Sequence, residues 1–521
     1  MLRGKIVLNR TFIGILYGNN IYVKLGMKDM ASQVIDNDIV DFVLENKQGI
    51  VKNIIERNKQ PFIGIITKTD SHSVYINLPL LNPISSIRIN KSNIGFDLKF
   101  NDCILGWLDI NNCFVQQSVP NDKELIEKYY IELGKLDIKL FSKNNFINDK
   151  KDYVDLTYLE TFHVDPEGCE DIDDFISIDK NERKVYLHIV DISHYIAPGS
   201  KDDINGIKYG NTWYFPDFTK HLYNKFIDYD FLYCLTLEIR FNEDDHDIQF
   251  YKSKIHCKFD FDYSYLQLIF DKKLNHPIQK DLLWSLNKLE TLYLPPPSNV
   301  RRLKWISDND RFIPSYEEEL LSHRYISGWM IFYNSWIGKN IKIDNNILPQ
   351  RHHPVKDILQ IKNPSNKLPL EIQYMILVKQ YRQAEYNEFH HGHFGLNREY
   401  YTHSSSPLRR YFDRLIQYRI TYGKNYNFSE DLLDHLNFME KLSERISQWY
   451  ITRIMNKFII DNPEKIYECY LIEKSPFGSS YYIYDLKEIV FEHGSVNQQI
   501  GEKFLAKLSI VGNKIIILKI F

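Results

Sequence analysis

The stretch from His163 to Phe175, HVDPEGCEDIDDF, decides how this chain is read. It carries Asp165, Glu167, Glu170, Asp171, Asp173 and Asp174, six carboxylates within ten residues. Like charges at that density repel, and hard cations such as Mg²⁺ are the usual neutraliser where carboxylate oxygens converge. A solvated acidic loop is the plain alternative on pattern alone. An EF-hand does not fit, because the sixth residue from Asp165 is Glu170 rather than Gly168 and the twelfth is Ile176 rather than Glu. Downstream, FISI, DKNERK and VYLHIVDI read as two strands and a turn. Folding them about Asn181 sets Asp191 opposite Asp171 to Asp174, so carboxylates are expected to gather at one hairpin end, with Asp191 supporting those that touch an ion.

The second chemical signal is YTHSSSPLRRYFDRLIQYR, Tyr401 to Arg419. Ser406 before Pro407 predicts a helix start, since Ser caps free amides and Pro suits the first helical position. Arg409 and Arg410 then fall in the first turn, where guanidinium groups beside unpaired amides make a phosphate site. The alternative is an ordinary surface helix with Arg410 and Asp413 as an i,i+3 ion pair.

Outward from these segments, the writing changes. From Met1 to about Gln116, short runs such as FIGILYG, NNIYVKLG and SVYINLPL alternate at period two between Asn, Asp and Gly breaks, which predicts small β-barrels divided near Arg57 to Gln60. A polar stretch, Ser118 to Asp152, follows. Alternation returns in IGEKFLAKLSIVGNKIIILKIF from Ile500, predicting a third barrel that starts near Lys465. The middle mixes strands with long helices; Leu321, Tyr325, Trp329, Tyr333 and Trp336 recur every three or four positions and predict one buried helical face.

A chain of 521 residues exceeds what one core organises, so several domains are expected. With 44% hydrophobic and 26% charged residues and only 22 Gly and 19 Pro, collagenous and broadly disordered classes are excluded. Apolar runs such as Lys514 to Phe521 fall far short of the roughly 20 residues a membrane helix needs. The start, MLRGKIVLNRT, lacks the apolar core of a secretory signal. The six cysteines are scattered without a C-x-x-C pair, as for reduced thiols in a cytoplasmic or other reducing compartment. Lys+Arg 65 against Asp+Glu 68 gives −3, so a polyanion partner has to be met by local basic patches.

Five segments together resemble the ribonuclease II / ribonuclease R (RNB) family of 3′-to-5′ exoribonucleases. They are DPEGCEDIDD (Asp165 to Asp174), HIVDISHYIAPGS (His188 to Ser200), RHHP (Arg351 to Pro354), HFGL (His393 to Leu396) and YTHSSSPLRRYFD (Tyr401 to Asp413), in family order. The resemblance implies a multidomain fold, small all-β OB barrels flanking a large mixed α/β RNB catalytic domain. Its expected divisions are cold-shock-type barrels at 1–58 and 59–130, the catalytic domain at 150–460 and a carboxy-terminal barrel at 461–521. That layout is closest to exosome-type eukaryotic members without an amino-terminal endonuclease domain. It implies hydrolysis of single-stranded RNA to nucleoside 5′-monophosphates with Mg²⁺, Mn²⁺ being the alternative, by a monomer.

Carried over residue by residue, Asp165, Asp171, Asp173 and Asp174 fall on the family's catalytic, metal-binding aspartates. Arg409 falls on its phosphate-binding arginine, with Arg410 as the basic neighbour. Tyr214, in WYFP, resembles the tyrosine contacting the terminal nucleotides. Tyr263 resembles the one at the cleavage point, with Tyr265 as rival. Discrimination against DNA is expected from contacts to the ribose 2′-hydroxyl, which no residue here identifies. His393 and His403 match as structural residues, which argues against a zinc site built from them with His390 and His391. Two departures bear on activity: Gly328 stands where the family has a nucleotide-positioning Glu, and Phe218 to Arg240 keeps only traces of the family pattern. They motivate a second hypothesis, a catalytically weak or inactive RNA-binding protein on the same fold.

Overall fold

The computed structural model of the chain describes residues 1–8, 13–17, 21–25, 34, 38–56, 61–78, 86–91, 97–99, 102–108, 113–119, 121–135, 153–223, 231–243, 245–298, 300–308, 311–343, 346–353, 363–381, 383–388, 392–428, 430–494, 498–511 and 514–519. These fall into two compact units, Met1–Ile138 with Glu444–Tyr450, and Lys139–Ser443 with Ile451–Phe521.

The first unit holds a closed five-stranded barrel of Leu2–Leu8, Ile13–Tyr17, Ile21–Leu25, Ile39–Glu45 and Gln48–Glu56, ordered first, second, third, fifth, fourth, with the fourth returning to the first. This is the Greek-key order of an OB barrel. Alternation turns Ile6, Ile15, Val40, Phe42 and Val51 inward, each fully buried. Ile15 crosses the centre only because Gly4 and Gly49 flank it: a Cβ on either would come within 2.5 or 2.7 Å of its side chain. The second sheet, from Pro61–Thr69 to Cys113–Val119, runs fifth, fourth, first, second, third, around Phe62, Ile66, Val74, Ile76 and Ile104. The stretch 118–152, read from the sequence only as polar, contains a helix, Asp122–Gly134. Asn121 caps it, accepting from the Glu124 amide at 2.8 Å, and Leu125, Ile126, Tyr129 and Leu133 form its buried face. Residues 136–152 lie outside the described residues.

The second unit is built on a seven-stranded sheet in the order Val154–Asp155, His246–Ile255, Leu232–Phe241, Lys184–Val190, Asp174–Asp179, Thr161–Val164, Cys257–Phe261. Asp174–Asp179 and Lys184–Val190 pair as a hairpin whose register runs from Asp174↔Ile189 to Asp179↔Lys184. Five adjacent strands each give one buried polar side chain to a single chain of hydrogen bonds: Thr161 to Ser177 (2.7 Å), Ser177 to His188 (2.9 Å), His188 to Thr236 (2.8 Å) and Thr236 to Ser253 (2.6 Å). Burial holds His188 down at about 3, so it joins that chain as a neutral ring.

Helices cover this sheet. In Leu321–Asn340 the aromatic stripe is internal as the spacing predicts, with Tyr325, Trp329 and Tyr333 fully buried; each ring of that size contributes on the order of 2 kcal/mol or more over an exposed one. The carboxy-terminal sheet, Ile466–Ser475 to Lys514–Lys519, is ordered third, second, first, fourth, fifth, the connectivity of the other two. It docks through Tyr470 and Tyr482 against Leu368 and Ile372, beside the buried pair of Lys487 with Glu371. No helix among the described residues is long and apolar enough to cross a membrane.

Candidate active site

The acidic loop starts where Thr161–Val164 ends. The Asp165 amide bonds the Phe261 carbonyl at 3.1 Å, and Gly168, at φ +76°, turns the chain back towards the hairpin. At the far end the Val190 amide donates to the Asp173 carbonyl at 3.0 Å, so the hairpin register fixes Asp173 and Asp174. Asp171 and Asp173 are buried, at 5% and 2% exposure.

Each carboxylate meets a different environment. Burial, then the neighbouring Asp165 charge, pushes the Asp174 carboxyl up to about 7. Burial also raises Asp173 well above the usual carboxylate range, against the opposing charge of Arg409. Asp173 Oδ1 accepts the Leu408 amide at 2.7 Å, while its buried Oδ2 has no hydrogen-bond partner and lies 3.6 Å from Arg409 Nε. Asp165 Oδ2 is 3.2 Å from His163 Nδ1. Asp171 is fully engaged: Oδ2 accepts from Thr212 Oγ1 (3.1 Å) and the Tyr214 hydroxyl (3.0 Å), and Oδ1 faces His221 Nδ1 at 3.1 Å.

Asp191 does not join this group. The hairpin sets it near the expected register, but its side chain caps the short helix Ile192–Tyr195 and accepts from the Tyr153 hydroxyl at 2.7 Å, with Lys252 at 3.5 Å. One residue of register reverses the face a strand side chain presents.

The arginine segment also differs from its expectation. The helix begins at Tyr411, not after Ser406. A β-bridge between Arg410 and Asn211 accounts for this: the Arg409 carbonyl accepts the Thr212 amide (2.8 Å) and the Tyr411 amide donates to the Gly210 carbonyl (2.7 Å), so Pro407 to Arg409 stay a separate turn. The buried Asp413 carboxylate holds the Ser406 amide (2.8 Å) and the Arg410 guanidinium (2.9 Å), and Arg414 Nε bonds the Pro407 carbonyl (2.6 Å). Arg410 is thereby tied to Asp413 and to His403 Nδ1 at 3.1 Å. Arg409 keeps its side chain 44% exposed. His403 is a half-buried, neutral acceptor for Arg410 and Tyr386, and burial lowers His393 to about 4. His390 and His391 lie outside the described residues.

The motifs far apart in sequence meet here. Arg351 makes a bidentate pair with Glu440 (2.6 and 3.0 Å) and lies over the Tyr386 ring, which stacks on Phe412 at 3.7 Å. A cleft of about 260 Å³ opens among Asn211, Thr212, Tyr214, Arg409, Phe412 and Glu440. Tyr263 begins the helix Tyr263–Phe270 and stacks on His323 at 4.1 Å; burial and then the charges of Asp174 and Asp165 raise its hydroxyl, so it stays protonated beside them. Tyr265 stacks instead on Phe261 and is 38% exposed. Gly328 is buried against the preceding helix, where a Cβ would come within 2.9 Å of Leu289 Cδ2 and 3.1 Å of the Tyr293 carbonyl. A larger side chain there would require Leu289 and its neighbours to shift. His163 and His221 went unremarked in the sequence; His163 stands within the acidic stretch, and His221 within the segment that departs from the family pattern.

As a cation site, the donors are all carboxylate oxygens, one buried and unbonded, and two, Asp165 and Asp174, repel each other. Among the described residues no three His, Cys, Asp or Glu side chains form a ready cluster. Mg²⁺ is commonly held by one or two carboxylates with substrate phosphate and water completing the shell, so the residues present fit such an ion.

The described chain thus joins a mixed α/β domain, in which an aspartate loop faces an arginine, to OB-type sheets. Residues 153–422 match the RNB domain model, and the chain belongs to that family. It is 24% identical over 523 residues to ribonuclease R of Chlamydia pneumoniae, covering 84% of this chain and 76% of that one. It spans 55% of ribonuclease R of Chlamydia trachomatis. Among solved structures, ribonuclease R of Mycoplasma genitalium in complex with ribose-methylated single-stranded RNA superposes with a TM-score of 0.72 at 17% identity over the whole of both chains. Yeast Ssd1, a pseudonuclease, gives 0.67 at 12% identity over 94% of this chain and 78% of its own.

Proposed function

We propose that this protein is a 3′-to-5′ exoribonuclease that hydrolyses single-stranded RNA to nucleoside 5′-monophosphates with a divalent cation, Mg²⁺ or Mn²⁺. The supporting observation is Arg409 Nε, 3.6 Å from buried Asp173 and exposed on its other side, next to the repelling pair Asp165 and Asp174 in a chain of the RNB family. Asp165 and Asp174 would hold the cation. Bound there, it supplies charge to polarise the scissile phosphate and to acidify the attacking water. Asp173, fixed by the Leu408 amide, orients Arg409, whose guanidinium offsets charge that develops on the non-bridging phosphoryl oxygens. Attack on phosphorus breaks its bond to the 3′ oxygen of the preceding ribose, which leaves as a hydroxyl. Tyr214 and Tyr263 contact the nucleotides on either side, Tyr263 held flat by His323. Arg410, neutralised by Asp413, supports the loop and contributes little to phosphate directly.

The test is incubation of the protein with 5′-labelled single-stranded RNA and Mg²⁺. A ladder of shortened products, lost in Asp173→Asn while RNA binding persists, is the expected result. Intact RNA with retained binding would instead establish the second hypothesis, an RNA-binding pseudonuclease on this fold.

A further inference from the structure

The segment from Thr212 to Leu222 forms a small clasp. Trp213–Tyr214 pairs with Thr219–Lys220 in the register Trp213↔Lys220 and Tyr214↔Thr219, closed at its tip by Phe215 stacked on Phe218 at 4.4 Å. Thr212 and Tyr214 share one face at period two, and the same register brings His221 back beside Thr212. All three converge on one carboxylate, Asp171, and Thr212 Oγ1 accepts the Leu222 amide at 3.0 Å, which ties both arms together.

We propose that His221 is a positioning residue for the terminal-nucleotide contact: by donating from Nδ1 to Asp171 Oδ1 it fixes the carboxylate whose other oxygen holds the Tyr214 hydroxyl. This rests on the reading of Tyr214 as a nucleotide contact. The Nδ1 contact is the one that matters. Asp171 is 4% exposed, so an oxygen left unpaired there is costly, whereas Glu170, 3.3 Å from Nε2, is 77% exposed and screened by water. His221 stands in the Phe218 to Arg240 stretch, which keeps only traces of the pattern expected from the resemblance.

Asparagine places an amide nitrogen where histidine has Nδ1, and glutamine where it has Nε2, which separates the two contacts. With Asp173→Asn as the background, so that RNA stays intact, the Kd of a short 5′-fluorescein-labelled oligoribonucleotide is measured. His221→Ala and His221→Gln should weaken binding about tenfold, the scale of one charge-assisted hydrogen bond, while His221→Asn stays within about twofold. Combined with Tyr214→Phe, His221→Ala should add nothing further. With Asp173 restored, the single-turnover rate at saturating RNA should change little. Equal effects of Asn and Gln, full additivity with Tyr214→Phe, or a fall in the saturating rate at unchanged Kd would overturn the proposal. Absence of RNA binding in the parent protein would count against the function itself.

Discussion

Arg409 and Asp173 face each other at 3.6 Å, one half-exposed and the other buried. If Arg409 balances charge that appears only during reaction, Arg409→Ala should lower the single-turnover rate by roughly a hundredfold with a smaller effect on RNA binding; a rate within threefold of the parent would remove it from the chemistry. Asp174 gives a pH prediction. Its folded value, about 7, lies above the ordinary 3.8, so between those values the folded protein keeps a proton that the unfolded chain has released. Without metal, this group therefore weakens the fold as pH rises across that window. A cation binds the ionised form, so Mg²⁺ should raise Tm clearly at pH 8 and hardly at pH 5, and Asp174→Asn should abolish the shift. An equal shift at both pH values would sink this reading. At this scale the sequence exposed the acidic and arginine clusters by density alone. It could not divide their labour: Arg409 and Arg410 are neighbours with one chemistry, and only the buried Asp413 takes Arg410 out of play.

At the scale of elements, the hydroxyl and imidazole chain across five strands is the least visible feature of the sequence. The polar residues concerned sit singly inside strands, as Ser177 in FISI or His188 in YLHIV, and nothing local says that Thr161, Ser177, His188, Thr236 and Ser253 lie abreast. Replacing His188 with Leu should cost about 2–4 kcal/mol in urea unfolding, because Ser177 and Thr236 each lose a buried partner. The neutral ring also carries a pH signature. As pH falls below 6.5 the unfolded chain takes up a proton that the folded chain refuses until about 3, so stability drops across that window. Parent protein should lose more stability than His188→Leu between pH 7.5 and 5.5; identical losses would refute the assignment. The aromatic helix was legible, since a stripe at helical spacing states which face is buried. The start of the Tyr411–Tyr422 helix was not, because the bridge that takes the Arg409 carbonyl and the Tyr411 amide out of helical pairing comes from Gly210 to Thr212, far away in the sequence.

For the whole molecule, charge sets the expectation. A net −3 with RNA as partner requires phosphate contacts through local cations such as Arg409, and each contact releases counterions. RNA affinity should therefore fall linearly on a log-log plot against salt; an affinity unchanged between low and high salt would contradict a cationic path. What the sequence determined by itself was whatever short-range pattern encodes: period-two alternation with polar breaks for the OB-type sheets, helical periodicity in the middle, and carboxylate and guanidinium clusters too dense to be incidental. What only the tertiary structure decided was which of those groups share an environment. Asp191 left the site for a helix cap, Gly328 lies close against Leu289 and Tyr293, and His221 became a partner of Asp171. Burial, face and partner depend on segments tens to hundreds of residues away, and a carboxylate or imidazole acquires its chemistry from those neighbours and not from its own place in the chain.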